Sequence, residues 1–186
     1  MQRELVRLSK RIALVLRHRP DVAGLRLDPQ GWVPVDELLS ALGISRAQLD
    51  AVVTGNDKQR YAVEVGPDGR ERIRASQGHS VAVDLELPRV TPPAELFHGT
   101  AAANLAPILR DGLHRARRHH VHLSADVATA RAVGARRGGA VLVLRVDAAA
   151  MAADGYAFYR SANGVWLVDA VPPEYLRPLR EPGSVG

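Results

Sequence analysis

At 186 residues the chain is long enough for one large domain or two small lobes, and 46% hydrophobic residues exclude a wholly disordered protein. No apolar run approaches the ~20 residues that span a bilayer, and the absence of cysteine removes disulfides, thiolate metal sites and a cysteine nucleophile together. The formal charge of +5 is mild, and of the 25 cationic residues only Lys10 and Lys58 are lysines. Planar guanidinium groups grip phosphate in two places, so this composition suits an anionic partner. A genome rich in arginine codons explains it equally well. The N-terminus, Met1-Gln2-Arg3-Glu4, lacks the apolar stretch of a secretory signal, so the expectation is a cytoplasmic, monomeric protein with no membrane attachment.

From Glu4 to Arg17, apolar residues at Leu5, Leu8, Ile12, Val15 and Leu16 form a helical stripe, and Pro20 ends that helix near Arg17-His18. Leu25 to Val33 reads as a short hairpin turning at Asp28-Pro29-Gln30-Gly31. Asp36 is expected to cap a helix through Leu42, and Ser45 another to about Val53. Tyr61 to Val65 and Arg70 to Ala75 alternate on either side of Gly66-Pro67-Asp68-Gly69, which makes a β-hairpin. Three helices followed by a hairpin outline a winged-helix lobe. Val90 to Ala94, with Pro92-Pro93, reads as a linker.

Beyond it, Leu96 to Gly99 is an expected strand and Ala101 to Arg110 a helix stopped by Gly112. Val121 to Leu123 is a strand, Ala125 to Arg137 a helix ending at Gly138-Gly139, and Ala140 to Val146 a buried strand. Phe158 to Val168 reads as two strands turning at Asn163-Gly164. The fold class is therefore α+β, with more strand than helix in the second lobe.

Three clusters carry chemistry. Leu16-Arg17-His18-Arg19-Pro20 puts charge at a helix end. Asn56-Asp57-Lys58-Gln59-Arg60-Tyr61 precedes the hairpin. Phe97-His98-Gly99-Thr100 ends a strand, with His120-Val121-His122-Leu123-Ser124 on a neighbouring one. Each has a plainer reading: cations at a helix C-terminus are favourable by about 0.3–1 kcal/mol in any protein, and an arginine flanking a hairpin is usually solvated. His114, His119, His120 and His122 invite a zinc site, but without cysteine or an HExxH pattern no metal is expected.

The order of these segments is more specific than any of them alone. Leu-Arg-His-Arg-Pro (16–20), Asp-Lys-Gln-Arg-Tyr (57–61), Ile-Arg-Ala-Ser-Gln-Gly-His-Ser (73–80), Phe-His-Gly-Thr (97–100), Val-His-Leu-Ser (121–124), Val-Gly-Ala-Arg (133–136) and Asn-Gly-Val-Trp-Leu (163–167) resemble the RNA 2′-phosphotransferase family, which includes the enzyme that finishes tRNA splicing in fungi. The resemblance runs from about Leu8 to Leu176. It implies a winged-helix RNA-binding lobe over 1–90. An ADP-ribosyltransferase-like NAD-binding lobe with a mixed, mostly antiparallel split β-sheet would follow over 91–186. The family's essential residues fall on Arg17, His18, Arg60 and Arg136. Its NAD pocket falls on His98, Gly99, Thr100, His122 and Ser124, with Val165 where many ADP-ribosyltransferases place a glutamate.

The implied reaction uses NAD as co-substrate and needs no metal. An internal RNA 2′-phosphate attacks the ribose C1″ of NAD and expels nicotinamide, and O2″ then attacks the phosphorus. The products are 2′-OH RNA and ADP-ribose 1″,2″-cyclic phosphate. A substrate monoester of about −1.5 to −2 charge suits a clamp of Arg17, Arg60 and Arg136, and His18 can move a proton near neutral pH. Two other readings stand beside it: ADP-ribosyl transfer to terminal phosphates of RNA or DNA, and a non-catalytic winged-helix nucleic-acid-binding protein. His79 has no assigned role, whether in ordering structure or in touching RNA.

Overall fold

The computed structural model describes residues 2–55, 59–116 and 118–179, excepting the side chains of Gln2 and Arg137. The chain divides into two compact units, residues 1–87 and 88–186, and both mix helix with antiparallel sheet. The fold class is α+β. Among the described residues no helix is long and apolar enough to cross a membrane.

The first unit begins with α1 (Gln2–Arg17), whose Leu8, Ile12, Val15 and Leu16 are buried on one face. Full burial of such side chains stabilises by about 1.5–3 kcal/mol each. A 3-10 turn over Pro20–Ala23 follows, closed by Gly24 in the left-handed conformation. The expected hairpin over Leu25 to Val33 does not form. The turn is present, with Gly31 N–H donating to Asp28 O at 2.9 Å. The strand after it, β1 (Val33–Pro34), pairs instead with a later strand, because Pro34 and the helix behind it end any return pairing.

Asp36 does not cap α2 (Val35–Leu42). Pro34 holds the cap position, and the Asp36 carboxylate lies in the first turn, bonded to Arg70 at 2.7 and 2.9 Å. Helix α3 (Arg46–Thr54) starts as expected. Ser45 accepts from the Gln48 N–H while the Gln48 side chain accepts from the Ser45 N–H, a reciprocal capping box. Strands β2 (Tyr61–Val65) and β3 (Glu71–Ala75) form the hairpin, and the sheet order is β1-β3-β2. Residues 76–84 then run back as a strap: Ser80 N–H donates to Arg17 O at 2.8 Å and Asp84 N–H to Pro29 O at 2.8 Å.

Residues 90–94, read as a linker, are instead tied into the second unit. Val90 N–H donates to Phe158 O and the Ala94 carbonyl accepts from Ala149 N–H. Strand β4 (Glu95–Ala101) leads through a 3-10 turn (Ala102–Asn104) into α4 (Leu105–Asp111). The expected single helix from Ala101 is thus two pieces, stopped by Gly112. Short strands β5 (Leu113–His114) and β6 (Val121–Leu123) precede α5 (Val127–Gly134). Asp126 caps α5 by accepting from Thr129 N–H at 2.7 Å, so the helix starts after Ala125 and finishes as a 3-10 turn over Ala135–Arg137.

The remainder is β7 (Val141–Asp147), α6 (Ala148–Ala153), β8 (Tyr159–Arg160), β9 (Trp166–Val168), β10 (Ala170–Val171) and β11 (Leu176–Pro178). One sheet runs β11-β7-β4 and another β6-β9-β8, both antiparallel. They are bridged where Phe97 and Ser124 exchange backbone hydrogen bonds at 2.8 and 2.9 Å. A β10-β5 pair completes the unit. Its core gathers Leu96, Leu123, Leu144, Val146, Met151 and Phe158, all within 1% of full burial.

Candidate active site

In the first unit, three of the expected residues come together. Arg17 ends α1, and its carbonyl is capped by the strap's Ser80 N–H at 2.8 Å. Its guanidinium Nη2 donates to the Arg60 carbonyl at 3.5 Å, and that same oxygen accepts from Ser76 N–H at 2.9 Å. Ser76 Oγ donates to Gln59 O at 2.8 Å, which fixes the backbone just ahead of β2. His18 is exposed, with Nδ1 at 2.9 Å from Ser80 Oγ. One strap therefore sets the Arg17 backbone, the Arg60 backbone and the His18 ring. Asp57 and Lys58, quoted in the same motif as Arg60, lie outside the described residues.

Tyr61 ties β2 to α1 through its hydroxyl, which donates to Ser9 O at 2.8 Å. Burial pushes its phenol up from the ordinary value, while the charges of Arg17 and Arg60 act the other way. Those charges reach Tyr61 because both guanidinium groups lie on this side of the unit. His79 is 2% exposed, and a Cβ on Gly31 would stand 3.4 Å from its Nε2. Its ring is thus packed against the Asp28–Trp32 turn, away from solvent, in a position that seats the strap. Sequence reasoning missed Ser76 and Ser80. Their signal was the 73–80 motif itself, whose residues had no assigned task.

The second unit holds a cleft of about 630 Å³, lined among others by His98, Thr100, Asn104, Arg115, Arg118 and His122. His98 Nδ1 lies 3.1 Å from the His122 carbonyl. A carbonyl only accepts, so Nδ1 carries the proton and Nε2 is left as an acceptor. Burial holds the His98 imidazole below its ordinary pKa, the His122 carbonyl opposes this, and the positive charge of Arg118 adds to the depression. Arg118 Nη1 stands 3.0 Å from His122 Nδ1. A guanidinium only donates, so His122 is neutral with its proton on Nε2. The cleft thus presents one imidazole acceptor and one imidazole donor. Asn104 Nδ2 donates to Thr100 Oγ1 at 3.3 Å, which orients that hydroxyl.

Gly99, Ser124, Val165 and Arg136 are not among the cleft-lining residues. Gly99 lies where β4 meets α5, and a Cβ there would stand 1.8 Å from Ala130 O. Ser124 follows β6, with its N–H and carbonyl both bonded to Phe97. Val165 closes the β8–β9 turn against Ser161, at 3.0 Å from carbonyl to N–H. Arg136 is exposed in the 3-10 turn after α5. Arg115, Arg118 and Asn104 were not singled out from sequence. The two arginines belong to the basic run before β6, whose most visible feature in the sequence is its histidines. Among the described residues no three His, Asp or Glu side chains form a metal-binding group.

Comparison with known proteins covers sequence from both units. Residues 3–170 match the family described as "RNA 2'-phosphotransferase, Tpt1 / KptA family". A protein of Streptomyces griseus, described as "Probable RNA 2'-phosphotransferase", is 54% identical over 184 residues, covering 94% of this chain and 97% of that one. Proteins with the same description in Rhizobium leguminosarum (52% over 175 residues, 92% of each chain) and Nostoc punctiforme (51% over 180 residues, 94% and 97%) are similar throughout. With arginine, histidine and serine gathered at the end of α1 and a histidine cleft beside β4, both inside the matched region, the chain belongs to the RNA 2′-phosphotransferase family.

Proposed function

We propose that this protein is an NAD-dependent RNA 2′-phosphotransferase, with a winged-helix lobe that binds RNA and an ADP-ribosyltransferase-like lobe that binds NAD. The observation that carries the reading is the extent of the family match, residues 3–170, which takes in Arg17, His18, Arg60 and Arg136 together with the whole cleft of the second unit. The first unit's three α-helices followed by the β2–β3 hairpin support the winged-helix reading.

The fit of the cleft to NAD rests on its donor set. At about 630 Å³ it lies in the usual range for ligand sites. His98 Nε2 can accept from a ribose hydroxyl, and His122 Nε2–H can donate to a ribose or phosphate oxygen. Arg115 and Arg118 offer positive charge for a pyrophosphate. Val165, outside the cleft lining, is apolar where many ADP-ribosyltransferases place a glutamate, so it would supply no carboxylate to hold the nicotinamide-ribose O2″. When bound, NAD supplies an electrophilic ribose carbon with a neutral leaving group.

Arg17 and Arg60 are assigned to the 2′-phosphate, by charge-assisted bonds that strengthen as charge gathers on its oxygens. In the first step a phosphate oxygen bonds to C1″ and the bond to nicotinamide breaks. In the second, O2″ bonds to phosphorus and the phosphorus bond to the RNA 2′-oxygen breaks. His18, its ring held by Ser80, takes the O2″ proton or returns one to the RNA oxygen.

The test is a single-turnover reaction of a short oligoribonucleotide bearing one internal 2′-phosphate, with and without NAD and without added metal. The expected result is NAD-dependent loss of the phosphate with ADP-ribose 1″,2″-cyclic phosphate released. No conversion and no intermediate at high NAD would overturn the reading. His18→Ala should let an ADP-ribosylated RNA accumulate. Failure of nicotinamide release in that variant would remove His18 from the second step.

A further inference from the structure

Helix α1 carries five cations, Arg3, Arg7, Lys10, Arg11 and Arg17, against one carboxylate, Glu4. At ~100° per residue, Arg3, Arg7, Lys10, Leu14 and Arg17 fall within an arc of ~80°, opposite the buried face formed by Leu8, Ile12, Val15 and Leu16. Arg3, Arg7 and Lys10 are all exposed, and among the described residues none of them is ion-paired. Elsewhere in this unit four arginines are matched by carboxylates, while among the described residues Arg26, Arg60 and Arg74 are not. Arg19 pairs with Asp21, Arg46 with Asp50 and Glu71, Arg70 with Asp36 and Glu37, and Arg72 with Glu64 and Asp28. Three of the unit's unneutralised cations, Arg3, Arg7 and Lys10, thus share one face of one helix.

We propose that this face is a track for the phosphodiester backbone of the substrate RNA, leading along α1 to the 2′-phosphate at Arg17. The proposal rests on the reading of Arg17 given above. Neighbours three and four residues apart on a helix are ~5–6 Å apart at Cβ, close to the step between consecutive phosphates of an extended single strand. Leu14, in line between Lys10 and Arg17 and 43% exposed, offers apolar surface to a ribose or a base. A membrane surface does not fit. Amphipathic helices bind lipid through a free apolar face, and the apolar face of α1 is spent in the core. Because the stripe leaves Arg17 in one direction only, the track serves one flank of the modified nucleotide.

The test compares the wild-type protein with the triple variant Arg3→Gln, Arg7→Gln, Lys10→Gln. Glutamine is nearly as good a helix former as arginine or lysine, so equal melting temperatures are expected. The substrates are a dinucleotide with a 2′-phosphate and versions extended by about three nucleotides on either side. Lengthening one flank should lower the wild-type KM, and the variant should lose that gain while turning over the dinucleotide at the wild-type rate. Binding of the longer oligonucleotide, followed by fluorescence anisotropy, should show a salt slope smaller by about 2 in the variant, from about 0.7 per cation. Between about 50 and 200 mM salt, wild-type affinity should therefore fall roughly 20-fold further than the variant's. Equal slopes and equal length gains in the two proteins would overturn the track. Wild-type protein that leaves the dinucleotide untouched would overturn the functional reading instead, and the anisotropy slopes would still decide the track.

Discussion

A methyl group at position 99 would stand 1.8 Å from the Ala130 carbonyl oxygen, 2.6 Å from its carbonyl carbon and 3.1 Å from Gly134 N. All three atoms are backbone of α5, so no side chain can rotate away and the helix itself must move. Restoring ordinary van der Waals separation means lifting α5 from β4 by at least ~1.5 Å, along a seam where Ala130 is fully buried. Overpacking a core costs about 1–3 kcal/mol when side chains absorb it, so Gly99→Ala belongs at the upper end, about 3 kcal/mol or more. For a domain of ~100 residues this lowers the melting temperature by roughly 12–24 °C. Gly134→Ala tests the same seam from the other side. Its Cβ would meet Gly99 C at 2.9 Å and Thr100 N at 3.0 Å, but also the movable Val141 Cγ1 at 2.8 Å, so the loss should be smaller. Thermal melts of the two variants, followed by circular dichroism without ligand, provide the assay. A Gly99→Ala protein melting within about 2 °C of wild type would refute the close approach of α5 to β4.

Three further predictions follow from particular contacts. Ser80→Ala removes the partner of His18 Nδ1 but keeps the backbone cap on Arg17, so kcat for 2′-phosphate removal should drop about 10-fold with KM for NAD unchanged. A change confined to KM would count against Ser80 as the group that orients His18. The pKa of His98 is depressed in the folded protein, so the unfolded chain takes up a proton that the folded one resists. That group's contribution to stability is present above the ordinary value of about 6.5 and is lost as pH falls below it toward the depressed folded value. Melts between about pH 8 and pH 5.5 should therefore show a smaller loss in His98→Gln than in wild type. Ser45→Ala breaks the capping box of α3 and should cost about 1 kcal/mol, read as a shift in the denaturation midpoint at unchanged slope.

The elements legible in the sequence were those whose signal is local. The α1 stripe with its Pro20 stop, the Ser45 cap and the hairpin around Gly66–Gly69 each depend on residues within about one turn or one loop of each other. Local signals also misled. Asp36 has the chemistry of a cap, but Arg70, 34 residues away, takes its carboxylate. Leu25 to Val33 carries turn residues and alternation, yet Val33 pairs with Ile73. Strands β5 and β10 are two residues long and exist only through each other, so no window of sequence contains their reason. Helix α6, almost all alanine, has no periodicity, although Asp147 caps it by accepting from Ala150 N–H. At the candidate site, the residue types were readable but their couplings were not. His18 and Ser80 are 62 positions apart, and the His98 tautomer is set by a carbonyl 24 positions away.

The strap over residues 76–84 also has a bearing on time. It is the final stretch of the first unit to leave the ribosome, yet it secures the end of the unit's first helix and the backbone beside Arg60. A nascent chain complete only through Ala75 already displays Arg17 and Arg60 but lacks the groups that arrange them. Contacts between such distant positions form late and slowly compared with local ones. The arrangement of Arg17, His18 and the Arg60 backbone is thereby deferred until residues 76–80 are in place.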